Sequence, residues 1–168
     1  MIRIAACVVV FVGALSCSIQ SLAFEKDGFK SGDTIQTVSQ VANSRAIKLQ
    51  TNNTNAIGAK NYLNYQMYQN GQFIGFLQFC NGRLYLYSLL QAGGFEALAS
   101  QTEKFIAAYG QPSVFAKIEF NSDGRVSSLN LTWSLPSGEN VSASFGMLNG
   151  MLGEASVAWS AQQQICSQ

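Results

Sequence analysis

Histidine is absent from the 168-residue chain. That removes the usual Ser-His and Cys-His nucleophile pairs and every His-ligated metal site. No GxSxG elbow, P-loop or CxxC pair occurs either. Charge is scarce: Asp, Glu, Lys and Arg make up 11% of the residues and leave a net charge of +1. Such a balance provides no basic field for nucleic acid and no acidic tail. Hydrophobic residues reach 48%, so the chain is not a charge-rich disordered one. Its length suits one domain or two small repeats. Beyond the first fifteen residues no apolar run approaches membrane-spanning length.

The N-terminus is the first positive signal. Met1-Ile2-Arg3 is a short basic start, Ile4 to Leu15 is almost unbroken apolar sequence, and Ser21-Leu22-Ala23 places small residues before a cut. This is the layout of a secretory signal peptide over residues 1–23, cleaved after Ala23. A membrane anchor competes, but the run is shorter than the roughly 20 residues a spanning helix needs. A lipoprotein acylated at Cys17 is a third reading, although Ala14 stands where the usual pattern has Leu.

Cleavage leaves nine basic and nine acidic residues, with solubility carried by 14 Gln, 12 Asn and many Ser. Cys80 and Cys166 remain, an even pair that reads as one disulfide in an exported chain. Closing so long a loop contributes about 4–5 kcal/mol in the chain-entropy model. Two free buried thiols are the alternative. The expected location is periplasmic or secreted.

Hydrophobic periodicity and turn chemistry predict an α+β fold. A helix is expected over 34–43, capped by Asp33 with Gln36 as its capping-box partner and with Ile35, Val38 and Val41/Ala42 on one face. A short strand at 45–50 precedes three strands, 60–69, 72–80 and 83–91, joined by Asn70-Gly71 and Asn81-Gly82 turns. A second helix over 95–109 carries Phe95, Leu98, Ala99, Thr102, Phe105, Ile106 and Tyr109 on its buried stripe. Gly110 and Pro112 end it. Four further strands are expected. An Asp123-Gly124 turn would pair Ile118 with Leu129 and Val114 with Trp133. A three-residue Pro136-Ser137-Gly138 loop would pair Trp133 with Val141 and Leu131 with Ala143. The last strand is placed at about 152–160. The result is two helix-plus-antiparallel-meander units, 24–92 and 93–168. They suggest a tandem α-β repeat with both helices on one sheet face.

Two-residue turns with no irregularity would place Tyr65, Phe76 and Tyr87 opposite one another, on one face with Met67 and Tyr85. Both faces of this meander are apolar or aromatic, which a half-exposed sheet normally avoids. These five residues are therefore the candidate binding surface, and ordinary core packing is the alternative. The second meander has one polar, flat face: Ser128, Asn130, Thr132, Ser134, Ser142 and Ser144. No catalytic residue, cofactor or metal ligand is indicated. Nine carboxylates remain for a hydrolase, but no spacing selects a pair.

Gly28-Phe29-Lys30-Ser31-Gly32-Asp33-Thr34 before a short helix, and Tyr109-Gly110-Gln111-Pro112 at a helix end, resemble the punctuation of small bacterial periplasmic α-β domains. The SmpA/OmlA-type outer-membrane assembly lipoproteins and β-lactamase-inhibitor-protein-type repeats open this way. The resemblance implies a non-catalytic envelope protein that works through a sheet surface on another envelope or secreted protein. It implies an inhibitor-like or accessory factor, or alternatively an assembly component, and transfers no individual binding residue.

Overall fold

A computed structural model describes residues 24–52, 62–121 and 124–161. The expected signal segment, Cys17, Cys166 and the turn residue Asp123 lie outside the described residues. The fold is mixed helix and sheet but mainly β. A small hairpin, β1 (Glu25–Lys26) and β2 (Phe29–Lys30), precedes helix α1 (Ile35–Ser44). A four-strand meander follows: β3 (Ile47–Asn52), β4 (Tyr62–Gln69), β5 (Gln72–Cys80) and β6 (Arg83–Leu90). Helix α2 (Gly94–Tyr109) then leads into β7 (Ser113–Asn121), β8 (Gly124–Ser134), β9 (Glu139–Leu148) and β10 (Met151–Ala161). The eight long strands form one antiparallel sheet in the order β3-β4-β5-β6-β10-β9-β8-β7. Each half is thus a helix followed by a meander, and the last strands of the two halves meet at the centre.

The Asn-Gly turns form as expected. Asn70 and Gly71 have φ of 52° and 78°, Asn81 and Gly82 have 50° and 74°. Left-handed backbone at both central positions is the turn whose twist matches a hairpin. Tyr68 faces Phe73, and Cys80 faces Arg83. Each hairpin then gains a bulge. After Tyr68/Phe73 the register moves by one, so Met67 faces Gly75, Tyr65 faces Leu77 and Gln66 faces Phe76. Past Phe79/Leu84 it moves again, so Leu77 faces Tyr87 and Phe76 faces Ser88. The expected Tyr65–Phe76–Tyr87 alignment is therefore corrected: one extra residue per strand sends every later side chain to the other face. Gly75 enables the first bulge. Its φ is 152°, and a Cβ there would stand 2.0 Å from the Ser88 carbonyl oxygen.

The second meander departs differently. Asn121 pairs with Gly124, Ile118 faces Ser127 and Ala116 faces Leu129. The expected Asp123-Gly124 register is off by two residues. A two-residue slip keeps every side chain on its face, so the apolar pattern alone cannot choose between the registers. The Pro136-Ser137-Gly138 loop does pair Trp133 with Val141 and Leu131 with Ala143. Asn149-Gly150 adds another turn with φ of 52° and 78°, so β10 starts at Met151, a residue before the expected strand.

Thr34, not Asp33, caps α1: its hydroxyl accepts from the Thr37 amide. The Asp33 backbone instead joins the sheet, its carbonyl accepting from the Leu84 amide at 2.8 Å. Val38 and Ala42 are the buried residues of α1, Leu98 and Phe105 those of α2. Phe95 and Tyr109, expected in the α2 stripe, remain largely exposed. Both helices and the hairpin residues Phe24 and Phe29 pack with Met67, Leu77, Phe79, Tyr87, Trp133, Val141 and Val157 in one cluster. Register places these strand residues on a single face. Each large side chain buried there contributes about 1.5–3 kcal/mol.

Gly75→Ala is expected to destabilise the fold by about 2 kcal/mol or more, because the added methyl meets strand backbone and the positive φ is strained. Guanidinium unfolding measures it. A loss under about 0.5 kcal/mol would show that β5 straightens without Gly75.

Candidate binding surface

The bulges divide the five expected residues between environments. Met67 and Tyr87 are core, 0% and 2% exposed. Tyr65 faces the same side, half-buried with its ring edge-on to Phe79. Tyr85 is the unpaired residue of the second bulge, where burial, together with neighbouring Tyr62, pushes its hydroxyl pKa up. Phe76 lies on the sheet face opposite the helices. The five do not form one patch.

A different aromatic cluster forms on that open face. Tyr68 and Phe73 rings lie 5.7 Å apart, and Phe73 meets Phe76 edge-on at 4.8 Å. Sequence reasoning missed the cluster because it missed the first bulge. The available signal was Gly75, a lone glycine inside a strand. Beside the cluster runs a groove of about 390 Å³, lined by Asn64, Phe76, Gln78, Leu86, Ser88, Ser142, Ser144, Ser156 and Ala158. It crosses the junction of β6 with β10. Beyond it lie Ser128, Asn130 and Thr132 of β8, the polar stripe expected from sequence.

Two pairs of polar side chains on this face bond to each other. Ser144 Oγ donates to Asn130 Oδ1 at 2.7 Å, and the Tyr68 hydroxyl donates to Gln66 Oε1 at 2.9 Å. Two acceptors differ. Asn64 Oδ1, in the groove, and Asn140 Oδ1 are buried without a hydrogen-bond partner. Buried amide oxygens rarely stay unpaired, so among the described residues these two are the unsatisfied acceptors, enclosed rather than presented at the surface.

A second cavity of about 420 Å³ lies on the helix side, between the N-terminal hairpin, α2 and the sheet. Glu25, Asp27 and Glu139 border it with Phe105, Tyr109 and Trp159. Lys26 Nζ stands 5.3 Å from the Trp159 ring centre. Two of the acids are engaged. Glu25 pairs with Lys30 at 3.0 Å, and Asp27 accepts from the Tyr87 hydroxyl at 3.0 Å and lies 3.9 Å from Arg45. Burial, then the Asp27 charge and hydrogen bond, hold the Tyr87 hydroxyl well above its ordinary pKa. Burial also raises the Glu139 carboxyl. Among the described residues no group of Cys, Asp and Glu side chains is placed to hold a metal ion. None of the described helices is long and apolar enough to cross a membrane.

No family model, curated protein or solved structure matches the chain. The assignment of a role rests on the residues themselves.

Glu139 generates a pH prediction. A carboxyl whose folded pKa lies above its unfolded value holds its proton more tightly when folded. That stabilising contribution is complete at acid pH and is lost as pH rises through the folded value. Glu139→Gln is therefore expected to match the parent below about pH 4 and to melt at a higher temperature at neutral pH. Thermal melts at the two pH values decide it. An equal difference at both would mean that Glu139 ionises freely.

Proposed function

We propose that the chain is an exported, non-enzymatic binding protein of the bacterial envelope, an inhibitor-like or accessory factor that holds another protein against the open face of its sheet. One observation carries this reading: helices cover one side of an eight-stranded sheet, and the other side, uncovered among the described residues, presents Tyr68, Phe73 and Phe76 beside uncharged Ser, Asn and Gln. Among the described residues of that face, Lys48 stands on the edge strand β3, Lys117 and Glu119 stand on the edge strand β7, and Arg83 stands at the end of β6. Clustered aromatics with a surround of hydrogen-bonding groups and no central charge suit a protein interface. Eight strands at about 4.8 Å and nine residues at about 3.3 Å make a face of roughly 1,000 Å². A specific complex needs about 800 Å² per partner.

Export is part of the reading, supported by the signal-like N-terminus and by the even pair of cysteines, Cys80 and Cys166, that remains after residue 23. Cys80 is 1% exposed at the end of β5. The strand order, symmetric about the β6–β10 junction, is what a duplicated helix-plus-meander unit would leave.

The test has two stages. Intact-mass analysis of the protein from its own envelope is expected to show a chain starting at Phe24, two hydrogens lighter than the dithiol. A chain starting at acylated Cys17 and recovered with outer-membrane assembly proteins would replace this reading with a role in assembly. With the co-purified partner in hand, Phe76→Ala and Ser156→Arg are each expected to weaken binding about tenfold or more in titration calorimetry, with circular dichroism unchanged. Parent-like affinity in both variants would sink the open-face reading.

A further inference from the structure

We propose that β7 is a self-pairing edge that joins two copies of this chain into a dimer. β7 is the last strand in the sheet order, and nothing among the described residues pairs with its outer side. It exposes Val114, Phe115, Ile118 and Phe120, the last at 81%. Soluble proteins seldom leave such an edge bare, because its free amides and carbonyls template another strand. The opposite edge differs: Ile47 of β3 is buried and Lys48 and Gln50 are outward. The contrast follows from helix placement. α2 lies over β9 and β10, so Val114, Ile118 and Phe120 extend past its cover on the helix side.

The strand's own sequence selects a second copy as the occupant. Lys117 and Glu119 lie two residues apart, on one face, and form an ion pair. Antiparallel pairing of β7 with itself, centred on Ile118, sets each Lys117 opposite Glu119 of the second copy. The four charges then alternate in sign. On the other face Ile118 meets Ile118 of the second copy, and Ala116 meets Phe120 twice. Centring the pairing on Lys117 or on Glu119 instead sets like charges opposite each other, which is unfavourable. A register that pairs odd with even positions would join the open face of one copy to the helix face of the other. The Ile118 register keeps both faces continuous, and a two-fold contact of this kind closes at two copies. The dimer would present two open faces on the same side of one extended sheet.

Sedimentation of the exported, disulfide-intact protein across a dilution series tests the pairing, with melting temperature as the check on folding. The parent is expected to be a dimer that dissociates on dilution. Lys117→Glu and Glu119→Lys, both at exposed positions, are each expected to weaken it about tenfold or more, and the double exchange to restore it to within about threefold. A parent that stays monomeric throughout would overturn the proposal. So would single reversals that leave the dimer intact, or a double exchange that does not rescue. Mass that climbs without a plateau would also overturn it, because that behaviour belongs to β3 of one copy docking on β7 of the next.

Discussion

The stacking of Tyr87 on Trp159 ties together parts of the chain that are distant in sequence. The two residues face each other across the β6–β10 junction, with ring centres 5.8 Å apart and planes 26° from parallel. Tyr87 also packs on Phe29 of the N-terminal hairpin at 5.0 Å, and its hydroxyl is held by Asp27. Trp159 receives Phe105 of α2 edge-on, and Phe105 in turn meets Trp133. The hairpin, the first meander, the second meander and α2 converge on one aromatic column. Aromatic pairs add about 0.5–1.5 kcal/mol each beyond the area they bury. The raised pKa of Tyr87 follows from the same geometry: a hydroxyl enclosed beside a carboxylate keeps its proton, and the proton is the hydrogen bond. Without this junction, two four-stranded meanders would each be left with an unclosed apolar flank.

That column was half legible in the sequence. Both helices, the Asn-Gly turns and the Pro136-Ser137-Gly138 loop follow from local chemistry, and the structure places them within a residue or two of expectation. What failed was propagation. A hairpin register read outward from its turn stays correct only until the strand carries an extra residue. Ile74–Gly75 supplied one in the first hairpin, and the segment around Tyr85 supplied another in the second. Gly75 announced its bulge, since a glycine within a β-rich run has little other reason to be there. Nothing local to Arg83–Leu90 announced the second. The Asp123 register was illegible for another reason: a slip of two residues preserves the polar and apolar faces, so only the actual turn distinguishes the alternatives.

The consequence for the candidate surface is direct. Read with straight strands, the first meander has two apolar faces and needs a second cover. Read with its bulges, Tyr65, Met67 and Tyr87 go beneath the helices, and the face left over is Tyr68, Phe73 and Phe76 among glutamines and serines. The puzzle of a doubly apolar sheet dissolves into an ordinary core and a compact aromatic cluster. Sequence did mark the serine and asparagine stripe of β8 and β9, because no bulge interrupts the pairing between them.

The chemistry of that open face bears on how a partner would be held. Removing a charged group from water costs several kcal/mol unless it is fully paired, whereas a hydroxyl or amide already bonded to its neighbour loses little. Ser144 with Asn130 and Tyr68 with Gln66 are such internally bonded pairs. Those two pairs lower the cost of removing this face from water. Asn64 behaves differently: its Oδ1 is buried at the edge of the groove with no donor among the described residues. A donor from outside would reach that oxygen only after the Asn64 side chain turned outward, so the gain of about 1–3 kcal/mol from satisfying a buried acceptor would be offset by the cost of that rearrangement.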